Sequence, residues 1–248
     1  MFDQNLRSRS SRFLIIALSL VSCVAEISTS DAARIARERA STIAVVPLNL
    51  ALPLAGELES SIEIVWDALL QHVEARSGNS QQLGYRLARA LWLESIEEIQ
   101  RTGGEQSFES AAMTFARRVS KEIEFDAIII PSLYLQNAKV GPRAARWDSA
   151  TQEMEFIGQS RWEIEMPAIS TVPAASIHVY VVDSAGRPLH SRRTGVELIQ
   201  HMEIHVEKRR GRDKRTWILV NDKPAIDNAI RVRAAIAHAL SPFLSKER

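Results

Sequence analysis

An α/β fold, a mixed sheet packed by amphipathic helices into an α/β sandwich with an exposed β-hairpin region, is predicted by three features of the sequence. Two short runs, TIAVVP at 42–47 and AIIIP at 127–131, are apolar and rich in β-branched residues. They read as buried strands, the second covered on both faces. Four further series of apolar residues recur at spacings of three and four, the signature of helices with one buried stripe. Along the chain the order is strand, helices, strands, helix, which lets helices cover one or both faces of a single mixed sheet. No internal repeat interrupts it.

Each element has its own warrant. Residues 42–47 form the first strand, stopped by Pro47, and 49–56 a loop. Ile62, Val65, Trp66, Leu69, Leu70 and Val73 share a helical face, with Ser60 or Ser61 as the cap and Gly78 beyond the end. Leu87, Leu91, Trp92, Ile96 and Ile99 make a second helix ended by Gly103 and Gly104, with Glu97 and Glu98 outward. Ser107 is placed to cap a third, whose stripe is Phe108, Ala111, Ala112, Phe115, Val119 and Ile123. Residues 133–140 continue the strand begun at Ala127. Residues 145–157 read as an exposed hairpin with its turn at 148–151, 162–166 as a short strand and 167–173 as a loop. The strand 176–182 is turned by Asp183, Ser184, Ala185 and Gly186 into a return segment from Pro188, with Arg192 and Arg193 on the solvent side. Asp222 and Pro224 start a last helix on which Ile226, Ala229, Ile230, Ala234, Ala237 and Leu240 share a face until Pro242. Arg233 falls on that face, so its stem must snorkel.

The 248 residues, 46% apolar and 25% charged, suffice for one main domain with a sizeable core. With 31 basic against 30 acidic residues the net charge is +1, so no global field draws the chain to nucleic acid, and electrostatic arguments must be local. Cys23 is the only cysteine, which excludes an internal disulfide, a CxxC pair and a multi-cysteine zinc site.

Arg7, Arg9 and Arg12 precede an apolar run from Phe13 to Val21, a basic region followed by a short greasy one, as in a secretory signal. Spanning a bilayer takes about 20 apolar residues, and polar residues resume at Glu26. Export with cleavage therefore fits better than a permanent anchor. Leu20, Val21, Ser22 and Cys23 close the run, and here the chain resembles the lipobox of bacterial lipoproteins. The resemblance implies that the Cys23 thiol accepts diacylglycerol, that cleavage falls between Ser22 and Cys23, and that acylation follows with palmitate-type chains. Val24 rather than an aspartate follows, which implies sorting to the outer membrane, facing the periplasm. Cleavage near Ala25 would instead leave a soluble periplasmic protein, and a buried thiol is the plain alternative for Cys23. The expected division is a signal peptide at 1–22, a lipidated polar tether at 23–41 and one α/β domain at 42–248.

The strand Ile43-Ala44-Val45-Val46-Pro47, the helix at 62–73 and the run Phe125-Asp126-Ala127-Ile128-Ile129-Ile130-Pro131 after another helix resemble the fold of the TolB amino-terminal domain and of CsgG-like periplasmic assembly lipoproteins. The hairpin around Trp147 departs from that pattern. The resemblance implies an envelope protein that acts by binding, as an oligomer or as an accessory to a larger machine, with no catalytic residues to carry over.

HMEIH at 201–205 differs from the helical zinc motif HExxH because Glu203 lies midway between the histidines. On a strand, His201 and His205 stand roughly 13 Å apart at about 3.3 Å per residue, too far for one metal. No metal and no cofactor are expected. His178 and His190 flank the turn at Gly186 without facing each other and read as surface or interface residues, whereas His72 and His238 lie beside apolar helix stripes. There is no GxSxG elbow, GxGxxG or GxxxxGK[ST]. Lys208, Arg209, Arg210, Arg212, Lys214 and Arg215 surround Gly211 in the densest charge cluster. It is a solvated hairpin tip or a contact for an anionic partner such as lipid head groups, cell-wall polymer or an acidic protein. Trp66 and Trp92 read as core, while Trp147, Trp162 and Trp217 are either core or a binding surface. The expectation is a lipid-anchored envelope binding or assembly factor, not an enzyme, with an envelope protein or a second copy as partner and no nucleic acid. The alternatives are an envelope hydrolase assembled only in three dimensions and a structural lipoprotein using the basic loop.

Overall fold

The computed structural model describes residues 42–141, 144–153, 171–207, 214–220 and 226–244, the strands at 201–207 and 214–219 by backbone alone. Its centre is a seven-stranded mixed sheet. Strand β1 (Thr42–Val45) pairs in parallel with β2 (Asn79–Gln82) on one edge and with β3 (Ala127–Val140) on the other. The long β3 then pairs antiparallel with β6 (Thr171–Asp183) along nearly its whole length, and β6 with β7 (Pro188–Leu198). At its far end β3 also carries the hairpin β4 (Ala144–Trp147) and β5 (Ala150–Glu153). A separate antiparallel pair joins β8 (His201–Glu207) to β9 (Lys214–Val220).

Helices cover both sheet faces, the doubly covered arrangement that the AIII run requires. Ala127, Ile128, Ile129 and Ile130 are all fully buried. One face packs against α1 (Ile62–Glu74) and α4 (Ala229–Ala239), with Ile129, Leu133, Ile177 and Val179 meeting Leu69, Ile236 and Phe243. The other packs against α2 (Tyr85–Thr102) and α3 (Phe108–Val119), where Ile128, Ile130 and Val182 meet Trp92, Ala112 and Phe115. Burying each such large side chain is worth about 1.5–3 kcal/mol, so both layers contribute to holding the sheet.

Several local expectations hold for the physical reason given. Ser107 Oγ accepts from the Ser110 amide at 3.2 Å and caps α3. Gly103 ends α2 in the left-handed conformation that glycine tolerates. At the other hairpin, Asp183 Oδ1 accepts from the Ala185 and Arg187 amides at 3.1 and 2.7 Å.

Others are corrected. A 3-10 turn at Gly56–Ser61 runs directly into α1, so Ser61 holds the N-cap position as expected but makes no side-chain capping bond there. The Ser61 hydroxyl instead accepts from the Ile226 amide at 3.1 Å, fastening the entry to α4. On α4 the buried face is Val232, Ala235, Ile236 and Ala239; Ile230, Arg233 and Ala234 point outward, and the cap is Asn228. Strand β2 has no apolar signal, and β6 begins at Thr171, inside the expected loop. The expected strand at 162–166 and residues 222–224 lie outside the described residues, but residues 226–228 are not helical and α4 begins at Ala229, so Ile226, expected on its face, precedes the helix.

The exposed hairpin is covered on its inner face. Ala145 and Trp147 are buried with Ala138, Val172 and Ala174, and the Trp147 indole N–H donates to the Ala175 carbonyl at 3.1 Å. The Gly195 amide donates to the Asp148 carbonyl at 3.0 Å, which brings the hairpin turn back against β7. Arg146, Glu153 and Thr151 remain exposed.

Candidate functional site

The alternation of β3 and β6 places Ile128 and Ile130 with Tyr180 and Val182 under α2 and α3. Continuing along the same face, side chains turn polar: Ser132, Tyr134 and Gln136 on β3, with His178 and Ser176 beside Ser132 and Tyr134 on β6. Farther on, Ala138 and Ala174 are apolar again beneath the hairpin. A polar strip thus lies between two apolar floors, with the start of α3 on one side and the hairpin turn on the other. Strand β7 extends it, because Arg193 pairs with His178 and Ser191 with Tyr180.

Within the strip, Tyr134 donates to Asp148 Oδ2 at 2.6 Å, and Gln136 Nε2 donates to Ser176 Oγ at 3.0 Å. Asp148 and Ser149 both adopt positive φ, the conformation of a two-residue hairpin turn, and this directs the carboxylate toward the strip. His178 Nε2 and the exposed Ser191 hydroxyl share a hydrogen bond of 3.0 Å. The imidazole is packed by Phe108 and Tyr180, with centroids 5.7 and 6.2 Å away. Burial and then the Arg193 charge push its pKa down, against the opposing pull of Glu109 and Asp148, so the ring is neutral at pH 7. Burial and the bond to Asp148 push the Tyr134 phenol up, which keeps it a donor. Ser132 Oγ is buried with no hydrogen-bond partner among the described residues. Chemically the strip offers a neutral imidazole on a hydroxyl, a phenol, a carboxylate pair and one guanidinium.

Phe108 also lines an apolar pocket of about 280 Å³ with Leu52, Trp92, Ile96 and Ile99, bordered by Gln100 and Gln106. Ala51 and Leu52, in the loop that follows the carboxyl end of β1, form part of its lining, and Asn49 holds that loop by donating to the Leu133 carbonyl and accepting from the Leu133 amide, both at 2.8 Å. The carboxyl ends of parallel strands are the usual ligand position in open α/β sheets.

His190 and His238 belong to the opposite face. His238 accepts from Arg192 at 2.8 Å and bonds Thr194 at 3.3 Å, and His190 donates to the Ala239 carbonyl at 2.6 Å. His178 and His190 are therefore not free surface groups: both are tied into the sheet. Nor do Arg192 and Arg193 share a side, since adjacent strand residues cannot; Arg192 reaches the end of α4 and Arg193 the polar strip.

Ser22 and Cys23 lie outside the described residues, as do Lys208, Arg209, Arg210 and Arg212. Lys214 and Arg215 open β9 opposite Glu207 and Val206. HMEIH is extended as expected, with His201 and His205 on one antiparallel strand. Trp92 is core beneath α2 and α3, and Trp66 is half-buried against the cluster on the opposite face; Trp147 resolves as core, Trp162 lies outside the described residues and Trp217 is placed by its backbone. Among the described residues no cluster of three or more His, Cys, Asp or Glu is set to hold a metal, and no helix is long and apolar enough to cross a membrane. As members of a site, Tyr134, Asp148, Ser191, Arg193, Glu109 and Ser132 were not singled out by sequence: Arg193 read only as a solvent-facing strand residue and Asp148 only as a turn residue. A signal was present: after AIII, the residues Ser132, Tyr134 and Gln136 repeat at period two where apolar ones would continue a core strand.

No protein-family model matches the chain, and no curated protein matches it.

Proposed function

We propose that this protein is a lipid-anchored envelope protein acting as a binding or assembly accessory factor, held at the outer membrane through Cys23 and facing the periplasm. The address rests on the basic, apolar and Leu20-Val21-Ser22-Cys23 order. The binding role rests on one structural observation: a central sheet gives up core positions to Ser132, Ser176 and His178. Burying a polar group without a partner costs about 1–3 kcal/mol, a cost that packing alone does not explain at Ser132. The test compares intact mass, membrane partition and co-purifying partner for the wild type, Cys23→Ala and Arg193→Glu. The reading expects loss of residues 1–22 with a lipid mass gain, both abolished in Cys23→Ala, and a partner lost in Arg193→Glu with anchoring unchanged. A full-length, unlipidated wild type in the cytoplasm would overturn the address; a partner indifferent to Arg193→Glu would overturn the assigned face.

A hydrolase is the second reading, favoured by the His178–Ser191 hydrogen bond, since a neutral imidazole on an exposed hydroxyl is the base–nucleophile half of a catalytic set. It requires Ser191-dependent labelling by a fluorophosphonate. Equal labelling of wild type and Ser191→Ala removes it.

A further inference from the structure

We propose that the polar strip binds a small zwitterion of the amino-acid or short-peptide class, its carboxylate on Arg193 and the Ser191 hydroxyl and its ammonium on Glu109. The proposal rests on the strip being the binding face and adds the chemistry of what it holds.

Three charges flank His178. Arg193 is its direct cross-strand neighbour on β7, exposed, with no ion pair among the described residues. Ser191 lies two residues earlier on the same strand face, roughly 6–7 Å along it, close enough for both to serve one carboxylate through their side chains. Glu109 sits in the first turn of α3, exposed, next to the Phe108 ring that packs on His178. Asp148, the other carboxylate, already accepts from Tyr134 at 2.6 Å. One cation and one carboxylate are therefore available on either side of an imidazole whose charge both of them influence.

That pattern selects by charge. A lone anion on Arg193 meets repulsion from Glu109 and Asp148, and a lone cation on Glu109 meets repulsion from Arg193. A ligand carrying both charges satisfies both walls, and an extended dipeptide holds its two charges up to about 7 Å apart. Neutral His178 adds a hydrogen-bonding group without adding a charge, and a bidentate guanidinium suits a carboxylate better than a point charge would.

The experiment is calorimetric titration of the full chain in detergent with alanyl-alanine, N-acetyl-alanine and alaninamide. Alanyl-alanine is expected to bind, and each singly charged analogue to bind about ten-fold more weakly or worse. Arg193→Gln and Glu109→Gln, matched to wild type in thermal midpoint, are each expected to lose about ten-fold for alanyl-alanine, whereas Arg89→Gln on the outer side of α2 loses nothing. Equal binding of N-acetyl-alanine and alanyl-alanine would make this a plain anion site and overturn the proposal. So would dipeptide binding unchanged in both variants, or no binding at millimolar ligand. If that failure accompanies a partner still recovered in an Arg193-dependent way, the zwitterion is wrong and the binding face stands.

Discussion

At Gly195 the need for glycine is steric rather than conformational. A Cβ there would overlap the Trp147 indole and come within 2.6 Å of the Ala150 Cβ. The hairpin closes over β6 only because β7 presents bare backbone at this point, which also leaves the Gly195 amide free to bond the Asp148 carbonyl. Gly195→Ala is expected to destabilise the fold by about 1–3 kcal/mol in urea unfolding, the usual cost of overpacking. Adding Trp147→Phe, which removes the overlapping part of the indole, should recover part of that loss, a coupling that a double-mutant cycle reads directly. Strict additivity would mean that the ring does not lie on Gly195. None of this was legible from sequence, because Trp147 and Gly195 are 48 positions apart and meet only through the pairing of β3 with both β4 and β6. The strip as a site was missed for the same reason: His178, Ser191 and Tyr134 come together only once the register is known.

Among the elements, α4 is held to β7 by a polar clip in which histidine must stay neutral. Arg192 donates to His238 Nε2, so that nitrogen carries no proton and Nδ1 is the donor to Thr194. Arg192 also donates to the Ser241 carbonyl at 2.9 Å. Burial first, then Arg192, lowers the His238 pKa; His190 is lowered by burial; His72 on α1 falls to about 4 through burial and Arg76. The sign follows from linkage. A base whose folded pKa lies below its unfolded value near 6.5 binds fewer protons when folded, so stability is full above about pH 6.5 and is lost as pH falls toward the folded values. His178, also lowered by burial, adds to the same window, and unfolding free energy should drop by about 1–3 kcal/mol between pH 7 and pH 4.5, with exposure and solvent screening keeping it well below the sum of the four shifts. His238→Gln keeps an acceptor for Arg192 and should flatten part of that slope. A urea midpoint constant across this range would refute the clip. The existence of α4 could be read from its period, but not its buried face: alanines at 229, 234, 235, 237 and 239 make more than one apolar stripe, and packing against β7 selects Val232 and Ile236. Strand β2 could not be read at all, since Asn79–Gln82 is polar and extended by pairing with β1 alone.

For the whole molecule, the fold class was legible because the buried strands and three of the helical stripes state it independently. What they do not state is how many cooperative units result. Three apolar clusters share one sheet: one beneath α1 and α4, one beneath α2 and α3, and a small one under the hairpin. Since β3 and β6 contribute to all three, loosening one cluster exposes the strand backbone of the others. Unfolding should then be a single transition. The tryptophans provide the test, because Trp66 packs against the first cluster, Trp92 lies in the second and Trp147 in the third. Variants retaining one of these at a time, with the other tryptophans replaced by Phe, are expected to report urea midpoints that coincide with far-ultraviolet dichroism of the same variant. The third cluster is the smallest, and its hairpin meets β3 through only two register pairs, Lys139 with Arg146 and Val140 with Ala145. If any probe departs it should be Trp147, at lower urea, and that result would make the hairpin a separately opening wall of the polar strip rather than part of its rigid frame.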